Sequence, residues 1–205
     1  MSHAGLRHRT LVTSPEAHLL GSLRGRRVRS FCFDVVRVYV HLTGHSSVMA
    51  MFRSGTGAMV DGTVREVIGI CVRDVTRVDP TDLSRSFVVD DLVESIWILN
   101  TYVLFGAPAP IDLEPVGESK VLGGEPVDVR LVRPDSRTAE QLSAYPGSDL
   151  WLNEVDVGLM LTFRSGFKSI ITTQGFTAFV NLLEPSEAFT EILEQTLAVP
   201  VDVRL

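Results

Sequence analysis

The chain has 205 residues and a formal charge of −6, which conceals an asymmetry: residues 1–37 carry seven Arg against Glu16 and Asp34, while the other 168 carry 12 basic and 23 acidic groups. With 45% hydrophobic and 21% charged residues the chain can bury a core, which excludes intrinsic disorder. The longest charge-free stretch, Ser95 to Ile111, is too short and too interrupted for a spanning helix, and no apolar run near the N-terminus reads as a secretory signal, so a cytoplasmic protein without a membrane segment is expected.

Val occurs 28 times and Ala 11 times, a bias toward β-branched side chains that favours sheet over helix. The expected fold class is α+β, with a mainly antiparallel sheet and about two helices, one near 81–104 and one near 186–197. Residues 1–22 read as a partly flexible basic segment. Residues 23–205 read as a single α+β domain, or as two similar β-rich lobes joined by the Pro/Gly-rich stretch 106–150.

In chain order, Arg24, Arg26, Arg27 and Arg29 run directly into an apolar segment that begins at Phe31. Its apolar positions switch from odd (Phe31, Phe33, Val35) to even (Val36, Val38, Val40, Leu42), which predicts a β-bulge or bend near Asp34–Val36. Further strands are expected near 47–53, 57–61, 64–73, 127–133, 176–182 and 199–204. Asp79-Pro80 reads as a helix start, followed by Leu92, Val93, Ile96, Trp97 and Val103 at roughly helical spacing. The β-branched and aromatic run 96–105 also permits a strand. Alternation is clearest over 155–163, which predicts a strand with one covered face, and Arg164-Ser165-Gly166 predicts a turn into a strand near 167–173. At the C-terminal end Phe189, Ile192, Leu193 and Leu197 share a helical face after Pro185.

Two short repeats stand out. Phe52-Arg53-Ser54-Gly55 recurs at 163–166 and reads as a second hairpin turn; Pro126–Leu131 recurs as Pro200–Leu205 and reads as two similar strands.

The chemical candidates are few. Asp112, Glu118 and Lys120 have the outline of an Asp…Glu-x-Lys Mg²⁺ site and resemble the restriction-endonuclease-like pattern, which would imply a Mg²⁺-dependent nuclease or phosphodiesterase. Asp90, Asp91 and Glu94 are the tightest acidic cluster; at a helix start they could hold Mg²⁺ or simply favour the helix dipole. His41 and His45 at a strand end would lie about 13 Å apart, too far to share an ion unless a turn folds them together. Ser165 and Lys168 match S-x-x-K by letters, but in a turn rather than on a helix. Cys32 and Cys71 match no metal spacing and read as reduced thiols.

These residues imply no cofactor and no catalytic set. The expected function is a non-enzymatic protein that binds another macromolecule, with Arg24, Arg26, Arg27 and Arg29 as the candidate binding residues, toward a protein partner or toward nucleic acid. The alternating segment Leu150–Thr173 is similar to segments of small bacterial sheet proteins, including toxin-neutralising immunity proteins; an acidic body would suit a basic partner of that kind.

Overall fold

The computed structural model describes residues 8–44, 47–58, 64–75, 85–106, 120–122, 125–127, 129–173 and 179–204. The order is β1 (Arg9–Thr10), α1 (Ser14–Gly21), β2 (Arg27–Phe33), β3 (Arg37–Leu42), β4 (Ser47–Ala58), β5 (Val64–Val75), β6 (Arg85–Phe105), β7 (Lys120–Leu122), β8 (Glu125–Val127), β9 (Val129–Val132), α2 (Arg137–Ser143), α3 (Ser148–Trp151), β10 (Asn153–Phe163), β11 (Lys168–Thr172), β12 (Asn181–Leu183), α4 (Glu187–Gln195), β13 (Leu197–Pro200) and a 3-10 helix over Val201–Arg204. The fold is α+β with a mainly antiparallel sheet, and among the described residues no helix is long and apolar enough to cross a membrane.

One sheet runs β12-β11-β10-β6-β2-β3-β4-β5, with β1, β9 and β13 added at its flanks, so strands before and after residues 106–150 lie side by side. The helix expected near 81–104 is instead the 21-residue strand β6. Its helical spacing is overridden by pairing: β10 takes one edge over residues 93–103, while β2, β13 and β9 succeed one another on the other. A β-branched, aromatic run with partners on both edges is more stable extended than helical.

The sheet folds around a core that gathers Phe31, Val38, Val40, Val48, Ile70 and Val72 against Ile96, Ile98, Leu159, Leu161 and Phe163. A second core lies on the other face of β6, β10 and β11, where Leu99, Val155, Val157, Met160 and Ile170 meet Phe189 and Ile192 of α4. β10 is therefore buried on both faces, not one, and an irregularity between Asp156 and Gly158 shifts its phase between the two cores. The hairpin into β11 forms as expected, with Gly166 at φ 87° in the turn.

Other expectations change for local reasons. The switch of apolar face at Asp34–Val36 is the expected bend, in the form of a hairpin turn rather than a bulge: Asp34 Oδ1 accepts the Val36 and Arg37 amides at 2.7 and 2.8 Å, and Arg37 Nη2 pairs with Oδ2 at 2.6 Å. Phe52–Gly55 lies inside β4, so only the copy at 163–166 turns. The expected C-terminal strand near 199–204 ends at Pro200, and of the repeated hexapeptide residues 126–127 and 129–131 of the first copy lie in strands β8 and β9, whereas residues 201–204 of the second wind as 3-10 helix. Of the expected strands, β12 starts at Asn181, and residues 59–61 and 176–178 lie outside the described residues.

From residue 8 onward the N-terminal segment packs into the fold. Thr13 and Glu16 form a capping box on α1, whose Ala17 and Leu20 enter the first core. Ahead of it, β1 runs parallel to β10 in the seam between β10 and the β4–β5 pair. Gly69 makes that seam possible: a Cβ there would lie 3.0 Å from the Thr10 carbonyl oxygen and 3.2 Å from that of Asp156.

Candidate functional site

The long strand β6 is paired unequally. Its second half has neighbours on both edges, but β10 turns away at Arg164–Gly166, so over Arg85–Asp90 no described strand bonds the edge opposite β2. Two contacts fix the hairpin where it leaves: the Arg164 amide donates to the Leu92 carbonyl at 2.9 Å, and the Ser165 amide to Asp91 Oδ2 at 3.0 Å. Asp91 Oδ1 accepts the Leu92 amide at 2.7 Å, and these bonds, the Ser165 ones foremost, hold the carboxyl below its ordinary pKa range.

The missing neighbour leaves a slot in the wall of the first core. Phe87 and Phe167 face each other across it at 5.8 Å between ring centroids, and Phe167 lies at the same distance from Phe163. Two clefts open along it. One, of about 210 Å³, is lined by Phe87, Val88, Val89, Asp91, Ser165 and Phe167. The other, of about 220 Å³, lies between Phe33, Asp34, Val35, Arg85, Val180 and Leu182. Val88 is 75% exposed, Val35 66% and Phe179 54%, three of the large apolar side chains left in solvent. The Val180 amide donates to the Val35 carbonyl at 3.0 Å, which keeps Val35 beside the second cleft.

The charges around the slot are mostly engaged. Burial pushes the Asp34 carboxyl up, but the Val36 amide and Arg37 outweigh it and hold it below its ordinary range. Asp90 adopts φ 48° where Val89 and Asp90 together oppose Arg29 of β2, and Arg27 Nη1 reaches both its carboxylate (3.3 Å) and its carbonyl (3.0 Å). Arg85, by contrast, lines a cleft with no ion pair among the described residues.

Two sequence candidates from separate groups therefore meet, since Arg27 is paired to Asp90. Arg24 pairs with Asp202 at 3.0 Å, while Arg26 and Arg29 are exposed on the approach to β2 and within it. Asp90, Asp91 and Glu94 lie on a strand rather than at a helix start, and the Asp91 oxygens are taken by amides. Asp112, Glu118 and His45 lie outside the described residues; Lys120 begins β7. His41 sits within β3, Nδ1 2.8 Å from Ser47 Oγ and its ring stacked on Tyr39, and burial lowers its pKa. Cys71 is buried, and burial chiefly raises its thiol. No group of three His, Cys, Asp or Glu among the described residues could hold a metal ion.

The slot was not among the sequence candidates; the signal was Phe87-Val88-Val89 between Arg85 and Asp90-Asp91, an apolar run bracketed by opposite charges. A scan against protein-family models, a search of curated proteins and a search of solved structures each returned no match.

Proposed function

We propose that the protein acts by binding another protein along the slot beside Arg85–Asp90. The observation that carries this reading is a sheet edge that no described strand pairs, lying over an aromatic cleft, with Val88 three-quarters exposed on it. An extended segment placed there could bond the backbone groups that no described strand pairs, and its alternate side chains could fill the two clefts. Apolar surface of this kind, bordered by polar groups, favours association with a partner.

The test is site-specific photocrosslinking in the cell to which the protein is native. A photoreactive residue at Val88 should give a protein adduct, whereas one at Glu191 on the wet face of α4 should not. Equal adducts at both positions, or none at Val88, would overturn the reading.

A further inference from the structure

We infer that residues 8–10 form a latch: they swing out of the seam between β10 and the β4–β5 pair on a pivot at the Leu11–Val12 peptide, while the body of the sheet stays folded. This goes beyond the protein-binding reading and does not rest on it.

The pivot is a peptide unit held from both sides. Arg53 Nη1 donates to the Leu11 carbonyl at 2.8 Å, and the Val12 amide donates to Asp156 Oδ2, also at 2.8 Å. Val12 is buried in the first core and is followed directly by the capping box of α1. The residues ahead of it are held far less firmly. β1 is a two-residue ladder with β10 alone, Arg9 opposite Glu154 and Thr10 opposite Val155. The Glu154 amide donates to the His8 carbonyl at 2.9 Å. In the Arg9–Glu154 ion pair, at 3.0 Å, the Arg9 side chain is 59% exposed, and a pair so open to water contributes little.

Thr10 sets closure against release. Its side chain is buried and seats on glycine: a Cβ at Gly55 would collide with Thr10 Oγ1, and one at Gly69 would lie 2.7 Å from Thr10 Cγ2. Yet Thr10 Oγ1 has no hydrogen-bond partner among the described residues. A buried hydroxyl without a bond carries the full loss of its hydration, which opening restores. Shape therefore favours closure and hydration favours release, the balance from which local opening ahead of global unfolding arises. Opening does not breach the sheet, because the seam is bridged again beyond β1. There Thr173 Oγ1 donates to the Ile68 carbonyl at 3.0 Å, and the Thr173 amide to the Val157 carbonyl at 2.8 Å. What the latch uncovers is the β10 backbone at Glu154 and Val155 and the glycine floor of Gly55 and Gly69.

Native-state hydrogen exchange, followed residue by residue in low urea, tests the latch. The Glu154 amide lies in β10 but bonds the latch, so it should exchange about tenfold or more faster than the amides of Leu159–Leu161, at a rate that urea below the unfolding transition leaves unchanged. The Val12 amide, at the pivot, should follow the body. Thr10→Val removes the unbonded hydroxyl and should slow exchange at Glu154 about fivefold or more, whereas Thr10→Ser, which keeps it, should not. Arg9→Gln should speed exchange at Glu154 about twofold and leave Leu159–Leu161 unchanged. Exchange at Glu154 that rises with urea in step with Leu159–Leu161 overturns the inference. So does a Thr10→Val chain in which Glu154 exchanges as fast as in wild type. Exchange at Val12 as fast as at Glu154 overturns the pivot, and the latch with it.

Discussion

The Asp156 carboxylate accepts the Val12 amide at 2.8 Å, joining β10 to a segment 144 residues earlier in the chain. Its other oxygen accepts Asn100 Nδ2, also at 2.8 Å, and the residue is fully buried. A buried carboxylate is tolerable only where donors surround it, and here they come from a neighbouring strand and from the N-terminal strap. Replacing Asp156 by Ala leaves both donors without that acceptor and should cost about 3 kcal/mol. Asp156→Asn keeps the shape but turns an NH₂ toward one of the donors, and should cost about half as much. Urea titration with an unchanged m-value checks both; a loss below 1 kcal/mol for Ala would show that the strap is held elsewhere.

The seam under that strap predicts a second effect. Gly69→Ala would bring a Cβ within 2.7 Å of Thr10 Cγ2 as well as against two carbonyl oxygens. Because backbone atoms cannot move aside cheaply, the expected cost is about 2–3 kcal/mol. Thermal unfolding of Gly69→Ala beside Gly166→Ala separates crowding from turn strain, since nothing lies near a Cβ at Gly166. Truncating Thr10 to Gly in the Gly69→Ala chain should recover part of the loss.

Stability should fall at acid pH partly through Glu16. Burial raises its carboxyl, but hydrogen bonds from Arg53 (2.5 Å) and Thr13 outweigh that and hold it below the ordinary value. A depressed folded pKa stabilises above the unfolded value of about 4.3, and that contribution is lost as pH falls from there through the folded value. Glu16→Gln should therefore lower stability at neutral pH by about 1–2 kcal/mol and flatten the melting-temperature curve below about pH 4.3. A parallel curve for the variant would place the acid sensitivity in other groups.

The hairpin lock can be read by hydrogen exchange. Ser165 donates its amide to Asp91, so Asp91→Ala should speed exchange at Ser165 while leaving amides in the middle of β10 unchanged. Uniform acceleration through β10 would mean that Asp91 supports the whole strand rather than its exit.

Much of the sheet was legible because alternation with β-branched residues reports an extended chain whatever its neighbours are. The β10–β11 hairpin, with Gly166 at a positive φ, and α4, with Ser186 accepting the Phe189 amide at 3.3 Å, follow from local chemistry. So does α1, whose Thr13-Ser-Pro-Glu16 capping signal lies inside the basic segment that reads as partly flexible. The site was less legible. The edge at Arg85–Asp90 has no strand partner among the described residues because β10 turns away at residue 164, a relation between distant segments that no local pattern encodes.

The sequence alone thus determined the strand-rich α+β class, the glycine turn at 164–166 and the amphipathic C-terminal helix, since these depend on periodicity and backbone preference over a few residues. Tertiary structure decided whether Arg85–Phe105 became helix or strand, and whether PVDVRL paired as strand or wound as a 3-10 helix. In both segments the local preference is ambiguous, and the hydrogen-bonding neighbours available at each place in the fold settle it.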